Sequence, residues 1–204
     1  MRNEMSGSAL APALLPASLN PALRAVLLVA VGVGLLTLSA KVQVPFWPVP
    51  MTMATFAVLA IGAAYGARLG VATIVAYIAV GMAGVPVFSG AGAGPAYMIG
   101  TTAGFIWGYI PAALIAGLAA DRGWDRSPVK LGAAMLLGDA VLFVMGFVWL
   151  GFFASVASGN GIGAAAAWAN GVQPFLLGDA VKIALAACLI PAGWALFRRS
   201  GRLG

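Results

Sequence analysis

The chain has 204 residues, of which 62% are hydrophobic and only 8% are charged, and its mean hydropathy is +1.02. Soluble domains rarely have such values, so the composition predicts an integral membrane protein. The formal net charge of +6 does not indicate a nucleic-acid partner, because the basic residues are scattered between hydrophobic stretches and form no continuous patch.

Six hydrophobic stretches qualify as membrane-spanning helices, since a helix needs about 20 predominantly apolar residues to cross the hydrocarbon core. The second and third stretches are separated only by the sequence GARLG at 66–70. We assign it to a turn because Arg68, with glycines around it, would be costly in mid-membrane. The sequence therefore predicts an all-α membrane protein with six transmembrane helices. In chain order, they lie near residues 22–40, 52–67, 69–85, 97–120, 131–155 and 174–197.

The first predicted helix carries a series of small residues at four-residue spacing, with one valine in the series. The series consists of Ala22, Val26, Ala30 and Gly34. Small residues at this spacing let two helices approach closely. The series serves either packing inside the protein or docking of another membrane subunit.

Positive charge is distributed unequally between the two sets of loops. With Lys182 counted as intramembrane, Lys41 is the one basic residue on one side of the predicted helices, and nine lie on the other. By the positive-inside rule, the nine mark the cytoplasmic side, and both termini are cytoplasmic. The chain then divides into a cytoplasmic segment at 1–21, a transmembrane domain at 22–197 and a basic tail at 198–204. The nine residues are Arg2, Arg24, Arg68, Arg122, Arg126, Lys130, Arg198, Arg199 and Arg202.

Three loops on the predicted outer side are rich in proline, glycine and aromatic residues. They read KVQVPFWPVPMT at 41–52, GVPVFSGAGAGPAYMIG at 84–100 and SGNGIGAAAAWANGVQP at 158–174. The prolines of the first loop prevent a continuous helix, and the glycines of the second let main-chain groups approach a ligand closely. The loops are either solvated connections or the walls of a binding site. Their position on the side of the buried charges favours a binding site.

The last predicted helix contains an acid and a base, Asp179 and Lys182, in an otherwise apolar run. Each costs about 2.5–3.5 kcal/mol at the centre of a membrane helix. Their spacing places both on one face, about 8 and 12 Å from the outer end at 1.5 Å per residue. One interpretation is a mutually neutralising pair, with Lys182 extending towards the membrane surface. The other is a pocket open to the outside, in which the acid accepts and the amine donates hydrogen bonds to one small polar ligand.

A second acid, Asp139, lies in the fifth predicted helix. The sequence LLGDAV occurs at both 136–141 and 176–181, but these helices run antiparallel. We therefore expect Asp139 nearer the cytoplasmic end, apart from Asp179 and bonded to a neighbouring helix. This expectation argues against a catalytic carboxylate dyad, whose groups must share a proton. The G-x-G-D signature of intramembrane aspartyl enzymes is also incomplete, because only Gly138 and Asp139 match it.

Other chemistries are excluded by composition. The chain has no histidine and one cysteine, Cys188, so the commonest general base and a thiolate metal cluster are both missing. It has no G-x-x-x-x-G-K-[ST] phosphate loop, so it does not hydrolyse ATP by that route. We expect no catalytic residue, metal or cofactor, and no enzymatic activity.

Three motifs resemble the BioY family, the biotin-specific substrate-capture (S) components of energy-coupling-factor (ECF) vitamin transporters. They are VPFWPVPMTMATFAVLAIGAAYGARLG, GVPVFSGAGAGPAYMIGTTAGFIWGY and GDAVK, and the resemblance extends over residues 22–197. It implies six helices, cytoplasmic termini and a biotin pocket near the outer face of the cytoplasmic membrane. It further implies delivery of biotin inward with a transmembrane coupling subunit and two ATPases. The coupling subunit would dock on the small residues of the first helix, although some members are reported to work without that module. Self-association is the alternative partnership.

The resemblance also assigns binding roles. Asp179 and Lys182 match the family residues that engage the ureido ring of biotin, which offers two N–H donors and one carbonyl acceptor. The loop containing Gly90, Gly92 and Gly94, together with Tyr97, is the implied wall for the valerate carboxylate. Apolar Phe46, Trp47 and Phe88 cover the thiophane ring and tail, or else anchor the protein at the membrane interface.

Two departures from the family pattern affect these loops. Ala54 replaces an expected glutamine, and GTTAGF at 100–105 replaces the more usual G-P-T-G-G-Y. The detailed contacts of these loops therefore stay open. A rival function is an ion- or proton-coupled carrier of another small vitamin, in which Asp179 and Lys182 relay charge.

Overall fold

Long apolar helices form almost all of the computed structural model, which describes residues 10–11, 20–45, 47–156 and 159–199, and side chains as far as residue 196. Within these residues, five helices are long and apolar enough to cross a membrane. A shorter helix, α5, precedes the last one. The bounds are α1 Pro21–Lys41, α2 Ala54–Met82, α3 Ala103–Asp121, α4 Pro128–Phe152, α5 Ala164–Gly171 and α6 Leu176–Arg199. The prediction of an all-α membrane protein is therefore confirmed, whereas the count of six transmembrane helices is not.

The first helix begins at a sequence-encoded cap and ends at a small β-hairpin. The Asn20 side chain accepts a hydrogen bond from the Ala22 amide at 2.8 Å, and Pro21 occupies the first helical position, where its missing N–H costs nothing. After Lys41, strand β1 (Gln43–Val44) pairs antiparallel with strand β2 (Met51–Thr52). The proline-rich loop thus folds back on itself and returns the chain to the start of α2.

The chain reverses direction within α2, at Gly66. This residue has φ 79° and ψ 173°, which are not helical and which side chains other than glycine rarely permit. A Cβ added to Gly70 would lie 3.0 Å from the Cα of Gly62, although residues eight apart in a straight helix are separated by about 12 Å. The two halves of α2 therefore lie against each other, and the break predicted at 66–70 occurs at its first residue.

Helix α3 stabilises this reversal at close range. The Asp121 carboxylate accepts a hydrogen bond from the Ala67 amide at 3.1 Å, which satisfies a donor at the start of the second half of α2. A Cβ on Gly117 would lie 2.5 Å from the Cα of Ala67, and one on Gly62 would lie 2.6 Å from the Ala113 carbonyl oxygen. Glycine is required at both positions because the two backbones touch.

The connections collect at two ends of the helices. The hairpin end consists of β1–β2 and the loops 83–102 and 153–163. Thr101 donates a hydrogen bond to the Pro48 carbonyl, which joins the loop 83–102 to the hairpin, and Trp149 of α4 donates to the Gly100 carbonyl, both at 2.9 Å. The arginine end consists of the reversal at Gly66 and the α3–α4 connection, 122–127. The start of α1 at Pro21 and the end of α6 at Arg199 both lie at the arginine end, because the opposite ends of these two helices lie at the hairpin end.

Two predicted boundaries change at the hairpin end. The stretch predicted as the start of the fourth helix forms a separate 3₁₀ turn, Pro95–Ile99, and α3 begins only at Ala103. The third predicted loop, 158–174, contains α5, where a run of alanines favours helix. Strands β3 (Ser155–Val156) and β4 (Gly159–Asn160) form a second two-stranded ladder before it.

We predict that Gly117→Ala destabilises the protein, because its Cβ would overlap the backbone at the reversal. The expected loss is about 1–3 kcal/mol, as for other overpacked interiors. Thermal unfolding in detergent measures it. Gly34→Ala is the matched control, because nothing lies within 4 Å of a Cβ at that position. Equal melting temperatures for the two variants would contradict the reversed arrangement of α2.

Candidate ligand-binding site

The centre of the candidate site is a buried ion pair in the first two turns of α6. The Lys182 ammonium donates to Asp179 Oδ1 at 2.5 Å, and the two residues are only 8% and 2% exposed. Their three-residue spacing places both on the face of α6 that packs into the protein. The two charges therefore pair within the helix, as one interpretation of the sequence predicts, but the Lys182 ammonium turns towards α2 and does not extend to the membrane surface.

The start of α2 completes the coordination of this pair. The Lys182 ammonium donates to the Thr52 carbonyl at 2.7 Å and to Thr55 Oγ1 at 3.1 Å. The Thr55 hydroxyl in turn donates to Asp179 Oδ1, also at 3.1 Å. All three donors of the ammonium are therefore used. One threonine serves both charges, because its hydroxyl accepts from one and donates to the other.

Among the described residues, every hydrogen bond to the Asp179 carboxylate ends on Oδ1. A carboxylate has two acceptor oxygens. The second oxygen, Oδ2, therefore retains acceptor capacity for a donor that a ligand supplies. The pair therefore has the chemistry to bind an N–H donor at Oδ2, and a carbonyl acceptor beside that donor can replace one of the bonds that the ammonium makes to Thr52 or Thr55.

Two small adjoining cavities extend from the pair towards the glycine-rich loop. Each has a volume of about 40 Å³. The first is lined by Asp179 and Lys182, and the second by Phe88 and Tyr97. Both cavities are lined by Val49, Pro50, Thr52, Phe105 and Tyr109. Together they form a path with a charged end and an aromatic end.

Larger grooves lie elsewhere on the helices. They have volumes of about 440, 510 and 560 Å³ and lie between α3 and α4 or between α4 and α6. Their linings are almost entirely apolar, as expected for surfaces that face lipid tails. We place the site at the smaller cavities, because charged groups convergent on a buried space characterise a ligand site better than volume does.

The glycine-rich loop supports the aromatic end. The Phe88 ring is fully buried, stacks on Tyr97 with ring centroids 5.0 Å apart and meets Tyr77 edge-on at 5.4 Å. A Cβ on Gly92 would overlap the Tyr97 ring, and Gly90 and Gly94 have φ of 60° and 80°. The three predicted glycines therefore shape the wall, while Phe88 and Tyr97 line the cavity.

Of the other predicted aromatic residues, Trp47 does not line the cavities. Trp47 is 79% exposed at the turn of the hairpin, which fits its alternative role as an interfacial anchor. Phe46 lies outside the described residues. Their neighbours Val49 and Pro50 line both cavities instead, because the hairpin turns these residues inward.

Asp139 lies closer to the site than the sequence predicts. It is 7% exposed, lies about halfway along α4 and interacts electrostatically with both Asp179 and Lys182. Leu142 and Phe143, one turn further along α4, line the cavity of the ion pair. Its Oδ1 has no hydrogen-bond partner among the described residues, so the predicted bond to a neighbouring helix is not seen for this atom.

The small-residue series of α1 faces away from the protein. Ala22, Val26, Ala30 and Gly34 are all exposed. The opposite face of α1 is buried, and a Cβ on Gly32 would lie 2.6 Å from a Thr73 side-chain atom in α2. The series therefore does not serve packing within the described protein, which leaves lipid or another subunit as its partner.

Thr55 is the site residue that the sequence reasoning missed. The signal available was its place just after the Pro-Val-Pro-x-Thr motif, at the start of a helix that meets the same end as Asp179. Ala54, noted as a departure, is buried beside it and lines the second cavity. No group of three potential metal ligands occurs in the part of the chain that the structure describes.

Comparison with known proteins gives consistent results. The model of the BioY family matches residues 7–199. A probable biotin transporter BioY from Pyrococcus horikoshii is 35% identical over 78% of this chain and 89% of its own length. The biotin transporter BioY from Rhizobium etli is 33% identical over 82% and 87%, respectively.

A solved structure shares the fold. The S-component for biotin from an ECF-type ABC transporter superposes with a TM-score of 0.73, and the match covers 87% of this chain and 94% of that one. Sequence identity is only 19%, so this likeness concerns the fold alone. The family match and the five apolar helices make the chain a multi-pass membrane protein. They also confirm the resemblance drawn from the sequence motifs: this chain belongs to the BioY family.

Proposed function

We propose that this protein captures biotin at its hairpin end and delivers it across the membrane. The observation that carries the proposal is the buried cluster of Asp179, Lys182 and Thr55 at the end of a cavity. The ureido ring of biotin has two N–H donors and one carbonyl acceptor. The free Asp179 Oδ2 matches a donor, and the ammonium binds the carbonyl in exchange for its bond to the Thr52 carbonyl or to Thr55. The names of the relatives, biotin transporters, support the same substrate and a transporter rather than an enzyme.

The rest of the ligand extends into the second cavity. Once the ureido ring occupies the charged end, the apolar rings at Phe105 and Tyr109 flank the thiophane ring. The valerate chain then reaches Phe88 and Tyr97, and its carboxylate meets the glycine-rich loop. Main-chain amides are its donors there, because glycines allow a close approach.

The topology follows from the reversal in α2. We propose that both halves cross the membrane, which gives six crossings. Both described ends of the helical chain lie at the arginine end, which requires an even number of crossings. Arg68, Arg122 and Arg126 also lie there, and the positive-inside rule makes that end cytoplasmic. The hairpin end and the site then face outward, and both termini face inward, in the cytoplasmic membrane.

The exposed series on α1 is the proposed docking surface for a transmembrane coupling subunit. Only 17% of the apolar stretch of α1 is buried, compared with 67% for α3. Its small residues allow close helix approach without displacing any packed side chain. Two ATPase subunits would complete an ECF-type assembly, or copies of this chain would associate with one another.

One observation favours the alternative of a proton-coupled carrier. Asp139 Oδ1 has no hydrogen-bond partner in the part of the chain that the structure describes, and the residue lies close to the ion pair. Acids of this kind mark proton relays in transporters. Binding that changes steeply with pH would favour this alternative, whereas ECF-type capture needs no such dependence.

We predict that Asp179→Asn and Lys182→Ala each weaken biotin binding about a hundredfold, since loss of one partner of a buried pair costs about 2–5 kcal/mol. Retention of labelled biotin by purified protein in detergent measures this. Lys130→Ala, an exposed lysine at the other end, is the control. Desthiobiotin, which keeps the ureido ring, should compete with biotin, whereas lipoate, which lacks it, should not. Equal competition by lipoate would contradict ureido recognition.

We predict that Thr55→Val weakens biotin binding about tenfold, because one hydroxyl that serves both charges is lost. Valine conserves the shape of threonine, so packing is retained. Thr55→Ser keeps the hydroxyl and should bind nearly as the unchanged protein. The dissociation constants of the two variants for biotin provide the measurement. Binding lost in Thr55→Ser but kept in Thr55→Val would mean that the methyl group, not the hydroxyl, matters.

We predict that Gly34→Leu lowers biotin uptake by cells that carry an ECF coupling module but leaves binding by the purified protein unchanged. The leucine would hold the coupling helix away from α1. Val31→Leu, at an exposed position of α1 outside the series, is the control. Uptake of labelled biotin at limiting concentration provides the measurement. Normal uptake by Gly34→Leu would show that the series is not the docking surface.

A further inference from the structure

Lys41, at the last position of α1, donates to three main-chain carbonyls of the glycine-rich loop. Its ammonium lies 2.6 Å from the Pro86 oxygen, 2.7 Å from the Phe88 oxygen and 2.5 Å from the Gly90 oxygen. An ammonium has three donors. All of them are therefore committed to one five-residue segment that lies more than forty positions further along the chain.

Within the described residues, no carboxylate pairs with Lys41. The chain has five acidic residues in all, and Glu4 lies outside the described part. Asp121 caps the reversal of α2, Asp179 pairs with Lys182, and Asp125 accepts a hydrogen bond from Trp194 at the arginine end. Asp139 lies in the middle of α4. The three carbonyl dipoles therefore stabilise the Lys41 charge, and the charge in turn fixes the loop.

The segment held by Lys41 is the wall of the aromatic cavity. Phe88, whose carbonyl accepts the central bond, has a fully buried ring that lines the cavity with Ser89 and Tyr97. Two further hydrogen bonds hold the same segment, from the Tyr77 hydroxyl to the Val87 carbonyl at 3.1 Å and from Ser89 to the Gln43 side chain. Of these five hydrogen bonds, Lys41 contributes three, and among the described residues it is the only charged group that makes them.

We propose that Lys41 is a positioning residue that latches the glycine-rich loop shut over the ligand and does not contact the ligand itself. The proposal rests on the proposed function, since the retained ligand is biotin. The cavity lining includes Ala40, Phe88, Ser89 and Tyr97 but not Lys41, which lies behind this wall. Its side chain is exposed, so water can replace all three carbonyls when the ammonium moves away. One side-chain movement thus removes three of the hydrogen bonds that hold the segment from 86 to 90.

The test is Lys41→Gln, compared with Arg122→Gln, which removes an exposed cation at the opposite end. Hydrogen–deuterium exchange of the ligand-free protein reports on the loop directly. Amide exchange in 83–94, including Phe88 and Gly94, should accelerate in Lys41→Gln while α3 is unchanged. Arg122→Gln should leave the loop as it was. Unchanged loop exchange in Lys41→Gln would overturn the latch.

Binding kinetics provide the second measurement. A weakened latch opens more often, so Lys41→Gln should release biotin about tenfold faster, the effect of losing about 1.4 kcal/mol of hydrogen bonding. Association should also accelerate or stay equal. Biotin and biotinamide, which lacks the negative charge, should respond alike. If Lys41→Gln accelerates the release of biotin but not of biotinamide, the latch is overturned, and Lys41 contacts the biotin carboxylate directly.

These outcomes separate the latch from the proposed function. If the loop exchanges faster in Lys41→Gln but the unchanged protein retains no biotin, the latch stands and the ligand is wrong. If the unchanged protein retains biotin and Lys41→Gln alters neither exchange nor release, the latch fails and the substrate stands. An equal rise in exchange across all helices would indicate general destabilisation and would also overturn the latch.

Discussion

The buried ion pair of α6 is the constraint around which the hairpin end is organised. Two charges inside a membrane domain must be compensated by groups of the protein, because lipid offers none. Asp179 and Lys182 compensate each other only in part, and the remaining donors of the ammonium require the Thr52 carbonyl and the Thr55 hydroxyl. The start of α2 must therefore lie against the start of α6. The hairpin that precedes α2 is thereby placed over the cavity.

We propose that the same pair gives the candidate site its selectivity. A ligand that offers only acceptors leaves Asp179 Oδ2 unpaired, and one that offers only donors competes with the bonds that Lys182 already makes. Buried polar groups left without partners cost more than a good hydrogen bond contributes. A group with adjacent donors and an acceptor is therefore favoured over ligands that share its size but not its polarity.

The sequence predicted features that depend on local chemistry and missed those that depend on how helices align. The cost of charge in a membrane marked Asp179 and Lys182, and glycine with arginine marked the reversal near Gly66. The positions of Thr55 and Asp139 relative to the pair depend on the axial alignment of α2, α4 and α6, which no single helix encodes. The outward orientation of Trp47 depends on the fold of the hairpin, and the hydrogen bonds of Lys41 to residues 86–90 depend on the fold of the glycine-rich loop. No single helix encodes either feature.

The reversal at Gly66 has a consequence for the surrounding lipid. If both halves of α2 cross the membrane, 54–65 and 67–82 are about 18 and 24 Å long at 1.5 Å per residue, against a hydrocarbon thickness of about 30 Å. Such a mismatch is relieved by local thinning of the bilayer. The thinnest lipid then borders the exposed face of 67–82, because the half that carries Thr55 is covered by the rest of the protein.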